Sequence, residues 1–146
     1  MSDKRLFKVM FVCIGNSCRG PMAEGFARAN HSDIIEPSSR GIGPAPIVQP
    51  STISAMLEKD ISIKDLSPTS ISDSEWESVD LVVNMSGAGV LEFLPGFKGG
   101  NLIWEVADPM GQPLEVYRQS RDRIEKLVDR LADTLRKHRP AAEAED

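Results

Sequence analysis

Three short apolar runs constrain this chain most: 6-LFKVMFVC-13, 79-VDLVVNM-85 and 102-LIWEV-106. None shows the strict apolar–polar alternation of a strand with one wet face, so each reads as a strand buried on both faces, the kind found in parallel sheets. Helical patterns lie between and after them. Residues 21-PMAEGFARAN-30 read as a helix, with Pro21 suited to a first turn that needs no N–H there. Ser51 is placed to cap a helix over 52–59 with Ile53, Met56 and Leu57 on one face. Residues 113–137 form a long amphipathic helix whose apolar face carries Val116, Tyr117, Ile124, Leu127, Val128, Leu131 and Leu135. Its charge run, 118-RQSRDRIEKLVDR-130, is expected to be the solvated side.

The remaining segments are weaker signals. Residues 34-IIEPSSR-40 read as a second strand, at an edge or irregular because of Pro37. The stretch 41-GIGPAPIVQP-50 is a loop, 74–78 a short helix, and Gly87 with Gly89 mark a strand-to-helix turn. Strands alternating with helices predict an α/β domain with a four-stranded parallel sheet and helices on both faces, three layers in all. Ligands of such sheets bind at the carboxyl ends of the strands, which is where Cys13 falls. One catalytic domain is expected over 1–138 and a frayed tail over 139–146.

The chain has 146 residues, enough for one domain, and a formal net charge of −5. That balance argues against nucleic acid or an anionic membrane as a main partner, and leaves room for a local basic site. Lys4, Arg5 and Lys8 precede only a short apolar stretch, Val9 to Ile14, which is cut off by Asn16, Ser17 and Arg19; this does not fit a secretion signal. The expected location is the cytoplasm, and the expected state a monomer. His31 and His138 sit in polar surroundings and are read as exposed, with no metal site.

Both cysteines of the chain lie in 13-CIGNSCR-19. A loop that curls from a strand end into a helix N-terminus presents backbone N–H groups and a helix dipole to an anion. That cradle would lower the pKa of the Cys13 thiol and bind an oxyanion. Gly15 lets the backbone approach the ligand, Asn16 tolerates a left-handed conformation, and the planar fork of Arg19 matches two oxygens of phosphate or arsenate. Ile14, Ser17 and Cys18 complete the oxyanion-binding loop, with Ile14 placed to touch the leaving group. Cys18 has two readings: it fills space under the loop, or it forms a protective disulfide with Cys13 under oxidation.

CIGNSCRGP resembles the signature loop of the low-molecular-weight protein tyrosine phosphatases and of the arsenate reductases that share their fold. PMAEGFA, GPAPIVQPSTISAM and DPMGQPLEVYRQSRDRIEKL are similar to the family as well, so the resemblance spans nearly the whole chain. It implies the strand order 2-1-3-4. It also implies a role for Asp108 in the pair Asp108-Pro109: general acid to the leaving group, then base to the hydrolytic water. Cys13 would be the nucleophile that forms a cysteinyl-phosphate, and Arg19 the clamp. Hydrolysis needs no cofactor. The expected partners are a phosphorylated protein or small phosphomonoester.

Three departures from the family pattern qualify this expectation. Gly20 stands where the family carries a serine whose hydroxyl bonds the thiolate, so the thiol pKa should be higher and the enzyme slower or more alkaline in its optimum. Met110-Gly111 and GPAPIV replace the usual aromatic walls, so selectivity for phosphotyrosine is not expected. Trp104 and Tyr117 are read as core. Ser86 and Ala88 stand where many of the reductases carry resolving cysteines. The alternative activity, arsenate reduction, would therefore draw on an external thiol or a glutaredoxin- or thioredoxin-type reductant. A third reading is a phosphate-binding module without turnover.

Overall fold

The computed structural model describes residues 5–73 and 75–139. Strand β1 (Phe7–Cys13) pairs with β2 (Ile35–Gly41) on one side and β3 (Leu81–Asn84) on the other; β4 (Gly100–Ile103) lies beyond β3. All pairs are parallel and the order is β2-β1-β3-β4. The single α/β domain and the expected strand order are both present. Pro37 is accommodated because β2 is an edge strand with β1 as its partner. The chain leaves β1 toward β2 and later returns to its other side as β3. The carboxyl end of β1 is therefore the switch point where such sheets bind ligands.

Helices α1 (Arg19–Asn30), α2 (Pro50–Leu57) and α3 (Leu114–Lys137) pack together on one face of the sheet. They bury Met22, Phe26, Met56, Ile124 and Val128 against Val9, Phe11 and Val83. Tyr117 belongs to this core, and half-buried Trp104 packs on it with its ring 5.9 Å from that of Phe11. On the other face, Met10, Val12 and Val82 are covered by Ile71, Val79, Val90 and Leu94. Among the described residues, helix occurs there only as two short 3-10 turns, Ile71–Asp73 and Leu91–Phe93. No helix among the described residues is long and apolar enough to cross a membrane.

Several local expectations are corrected. Helix α1 starts at Arg19, two residues before Pro21. Helix α2 starts at Pro50 with Gln49 extended before it; proline takes the first helical position, and Ser51 lies inside the helix rather than capping it. The helical turn expected over 74–78 stands instead at Ile71–Asp73; Ser74 lies outside the described residues. The turn at Gly87, where φ is 81°, leads into the 3-10 turn Leu91–Phe93 and not into an α-helix. Strand β4 ends at Ile103, although the Trp104 N–H still donates to the Asn84 carbonyl of β3 at 2.9 Å. Of the expected tail, Arg139 is described and 140–146 lie outside.

Two polar side chains are buried where exposure was expected. His31 closes the end of α1 with Nε2 2.7 Å from Asp129 Oδ1 and Nδ1 2.9 Å from an Arg136 nitrogen, both partners on α3. Arg121 interrupts the solvated side of α3. It is buried and donates to the Ala55 carbonyl at 2.9 Å and to Glu58 at 2.6 Å, tying α3 to α2.

Candidate active site

The loop from Cys13 to Cys18 joins β1 to α1, and its shape is set by where its carbonyls go. The N–H of Ile42 donates to the Cys13 carbonyl, Gly43 to Ile14, Ala45 to Gly15 and Gln49 to Ser17, at 2.9–3.2 Å. Thr52 Oγ1 adds a second bond to the Ser17 carbonyl, and the Cys18 carbonyl starts the hydrogen-bond ladder of α1. In a planar trans peptide the N–H points opposite to the carbonyl. Carbonyls drawn outward to 42–52 therefore turn the N–H groups of Ile14, Gly15, Asn16 and Cys18 inward. Asn16 takes the left-handed conformation at φ 53°, as its residue type allows, and its Oδ1 accepts the Thr69 N–H at 2.9 Å. A Cβ on Gly41 would stand 2.9 Å from the Ile14 oxygen, so only glycine lets β2 end this close to the loop.

Cys13 is buried, and the Gly20 N–H points at its sulfur from 3.3 Å, with the Asn16 N–H as a second donor. Two opposed effects act on the thiol. Burial pushes its pKa up; the N–H groups of Gly20 and Asn16 and the positive charge of Arg19 pull it down, and burial wins. The cradle thus does not lower the pKa below the ordinary cysteine value, as the loop geometry alone suggested. Cys18 is buried among the hydroxyls of Thr52, Ser17 and Tyr117, and burial raises its pKa as well. That position fits the space-filling reading. Both thiols are free.

Arg19 is buried, and its guanidinium is fixed by main-chain oxygens. Nη1 donates to the carbonyls of Met85 and Val106, while Nη2 lies 3.5 Å from Asp108 Oδ2. The segment that follows β4 thus helps hold the candidate anion clamp through the Val106 carbonyl, and it leads into the candidate acid. The Asp108 carboxyl is half-exposed, and its Oδ1 accepts the Met110 N–H at 3.1 Å. It is a turn former and a neighbour of the clamp at once. Ser120 Oγ donates to the Ala107 carbonyl at 2.9 Å and pins the segment from α3.

The structure therefore gathers Cys13, the loop 14–18, Arg19 and Asp108 at the carboxyl end of β1. Ile14 and Met110 are exposed beside them, as is Ile47 on the segment that clamps the loop. The carbonyls of Met85 and Val106 carry no sequence signal and were not foreseen. Buried Glu24, which accepts from Ser39 Oγ at 2.6 Å and pairs with Arg28, had a signal that was missed: an acid in the helix that follows the loop.

A cysteine and an arginine held by one main-chain anion loop on a 2-1-3-4 parallel sheet define a class of oxyanion-handling α/β domains. Residues 8–141 match the model of the low molecular weight phosphotyrosine protein phosphatases, and the chain belongs to that family. A glutaredoxin arsenate reductase of Synechocystis sp. is 36% identical over 126 residues, 85% of this chain and 95% of that protein. A protein-arginine-phosphatase of Geobacillus stearothermophilus is 29% identical over 147 residues, 88% and 96% of the two chains. Among solved structures, an arsenate reductase in its phosphate-binding state superposes with a TM-score of 0.78 at 34% identity, covering 89% of this chain and 99% of that one. The arginine phosphatase of G. stearothermophilus gives 0.82 at 27% identity, covering 90% and 94%.

Proposed function

We propose that this chain is a cysteine-dependent phosphomonoester hydrolase. The observation that carries the reading is the 3.5 Å approach of Asp108 to Arg19, at the rim of a loop whose N–H groups surround Cys13. In the first step the Cys13 thiolate forms an S–P bond as the P–O bond to the leaving group breaks. Arg19 and the N–H groups of Ile14, Gly15, Asn16 and Cys18 hold the equatorial oxygens, and protonated Asp108 gives its proton to the departing oxygen. In the second step Asp108 takes a proton from water, whose oxygen bonds phosphorus as the S–P bond breaks. Phosphate leaves and the thiolate is restored. A reactive thiol suits a reducing compartment, so the proposed location is the cytoplasm, and the site is complete within one chain.

Arsenate reduction is the second reading, favoured by the 36% identity to the glutaredoxin arsenate reductase. With Cys13 and Cys18 the only cysteines of the sequence, the arsenic-bound Cys13 would be released by an external thiol. Phosphate release from a simple aryl phosphate across pH 5–9, for wild type beside Cys13→Ser, tests the main reading. Turnover that vanishes in the variant supports it. No turnover by folded wild type, with arsenate reduced when a small thiol is added, replaces it with the second. Phosphate binding with neither activity would leave a binding module.

A further inference from the structure

A cleft of about 720 Å³ opens beside the cradle, between the end of β4 and the loop that follows β3. Its walls include Met85, Val90, Leu91, Ile103, Trp104 and Val106, and Arg19 is among the lining residues. Arg19 is thus shared: it is the candidate clamp of the cradle, and it is bonded to the carbonyls of two cleft residues, Met85 and Val106. Of the polar side chains in the lining, which also include Asn101 and Glu105, Asn84 is already satisfied. Asn84 donates to the Ala88 carbonyl at 2.7 Å and accepts from Ser86 Oγ at 2.6 Å. On the lips, Ile103 is 69% exposed and Leu91 48%. Single exposed apolar residues are ordinary, but two facing one cleft of ligand size mark a binding pocket.

We propose that this cleft takes the aliphatic part of an organic phosphomonoester whose phosphoryl group sits in the cradle. The inference rests on the hydrolase reading and names its substrate class. Three observations favour this occupant. Arg19 is the one cation among the lining residues and most of the lining is apolar, with Asn84, Asn101 and Glu105 the polar exceptions, which suits an alkyl chain ending in phosphate. Val106 is two residues from Asp108, so a group attached through the leaving oxygen emerges beside the cleft wall. Trp104, the one ring among the lining residues described, is held against Phe11, which leaves no ring pair to sandwich an aromatic group. Inorganic arsenate would fill the cradle and leave the cleft empty.

The test is kcat/KM for linear alkyl phosphates from ethyl to octyl, in wild type, Ile103→Asp and Leu91→Asp. Each buried methylene is worth roughly 4-fold. The hexyl-to-ethyl ratio should reach on the order of 100-fold in wild type and fall below about 10-fold in each variant. A wild-type ratio near one overturns the inference and leaves the hydrolase reading intact. A ratio that survives both substitutions places the alkyl group elsewhere and overturns it too. If wild type turns over no ester, calorimetric binding of hexylphosphonate beside methylphosphonate still decides: tighter hexyl binding that is lost in both variants supports the cleft, and equal affinities sink it.

Discussion

The side-chain amide nitrogen of Asn16 is buried without a hydrogen-bond partner, 3.0 Å from the point where a Cβ on Gly20 would stand. That same point is 3.2 Å from Cys13 Sγ. A hydroxyl at position 20 would accept from the Asn16 amide and donate to the thiolate, completing two groups at once. Gly20→Ser is a tight fit, since Ser39 Cβ would also lie 3.2 Å away, and a shift of a few tenths of an ångström accommodates it. A hydrogen bond to a charged group contributes about 1.5–3 kcal/mol. Gly20→Ser should therefore raise the rate of Cys13 alkylation by iodoacetamide at pH 7 roughly tenfold or more. An unchanged or slower rate in a folded variant contradicts this account of position 20.

The wild-type thiol should titrate late. Burial holds the pKa of Cys13 above its ordinary value despite Arg19 and the N–H donors. The protonated form then dominates at neutral pH, and the thiolate grows as pH rises past the free-cysteine value of about 8.5. Alkylation of Cys13, followed in Cys18→Ala to isolate one thiol, should still be climbing at that pH. A plateau reached near neutrality would show that the donors outweigh burial.

Asp108→Asn should separate good leaving groups from poor ones. The amide oxygen can keep the bond from the Met110 N–H, so the turn survives while the proton donor is lost. General acid catalysis is worth about 10²–10⁴-fold. In kcat/KM, which reports the first step alone, a loss in that range is expected for alkyl phosphates, and a much smaller one for p-nitrophenyl phosphate, whose leaving group departs without a proton. Equal losses on both would assign Asp108 a positioning role only.

Glu58 links pH to stability. It accepts from Arg118 at 2.8 Å and Arg121 at 2.6 Å, and these partners lower its pKa to about 2. A depressed carboxylate stabilises the fold above its unfolded value, here 4.5, and that contribution fades as pH falls toward 2. Urea midpoints of wild type and Glu58→Gln should differ at pH 6 and converge near pH 2. A gap that persists at pH 2 would trace the effect to packing.

Gly25 on α1 lies against the segment after α2. An added Cβ would stand 2.8 Å from Ile63 Cγ2 and 3.1 Å from the Met56 methyl. Overpacking of this kind costs about 1–3 kcal/mol. Gly25→Ala should lose that much in urea unfolding, whereas Gly43→Ala, which meets nothing within 4 Å, should change little. Equal effects would mean that space at Gly25 does not decide its identity.

The strands and the anion loop were legible because their signals are local: an apolar run, a turn, a helix start. The features missed depend on distant partners. His31 looks exposed between Asn30 and Ser32 until α3 brings Asp129 and Arg136 to it. Arg121 looks like part of a charged stripe until Ala55 and Glu58 arrive from α2. The hold on Arg19 is made by carbonyls of Met85 and Val106, and any residue supplies a carbonyl. Among the described residues no α-helix covers the second face of the sheet; the segment between Gly87 and β4 is short and broken by Pro95 and Gly96, and it holds a 3-10 turn.

The four bonds from 42–49 onto the loop carbonyls run from main chain to main chain. Mutation can therefore replace Ile42, Ala45, Ile47 or Gln49 by many residue types without releasing the loop. Inheritance of the anion grip is uncoupled from inheritance of what borders it. Descendants of such a chain are free to explore new carriers of the same tetrahedral group, by drift at the border alone.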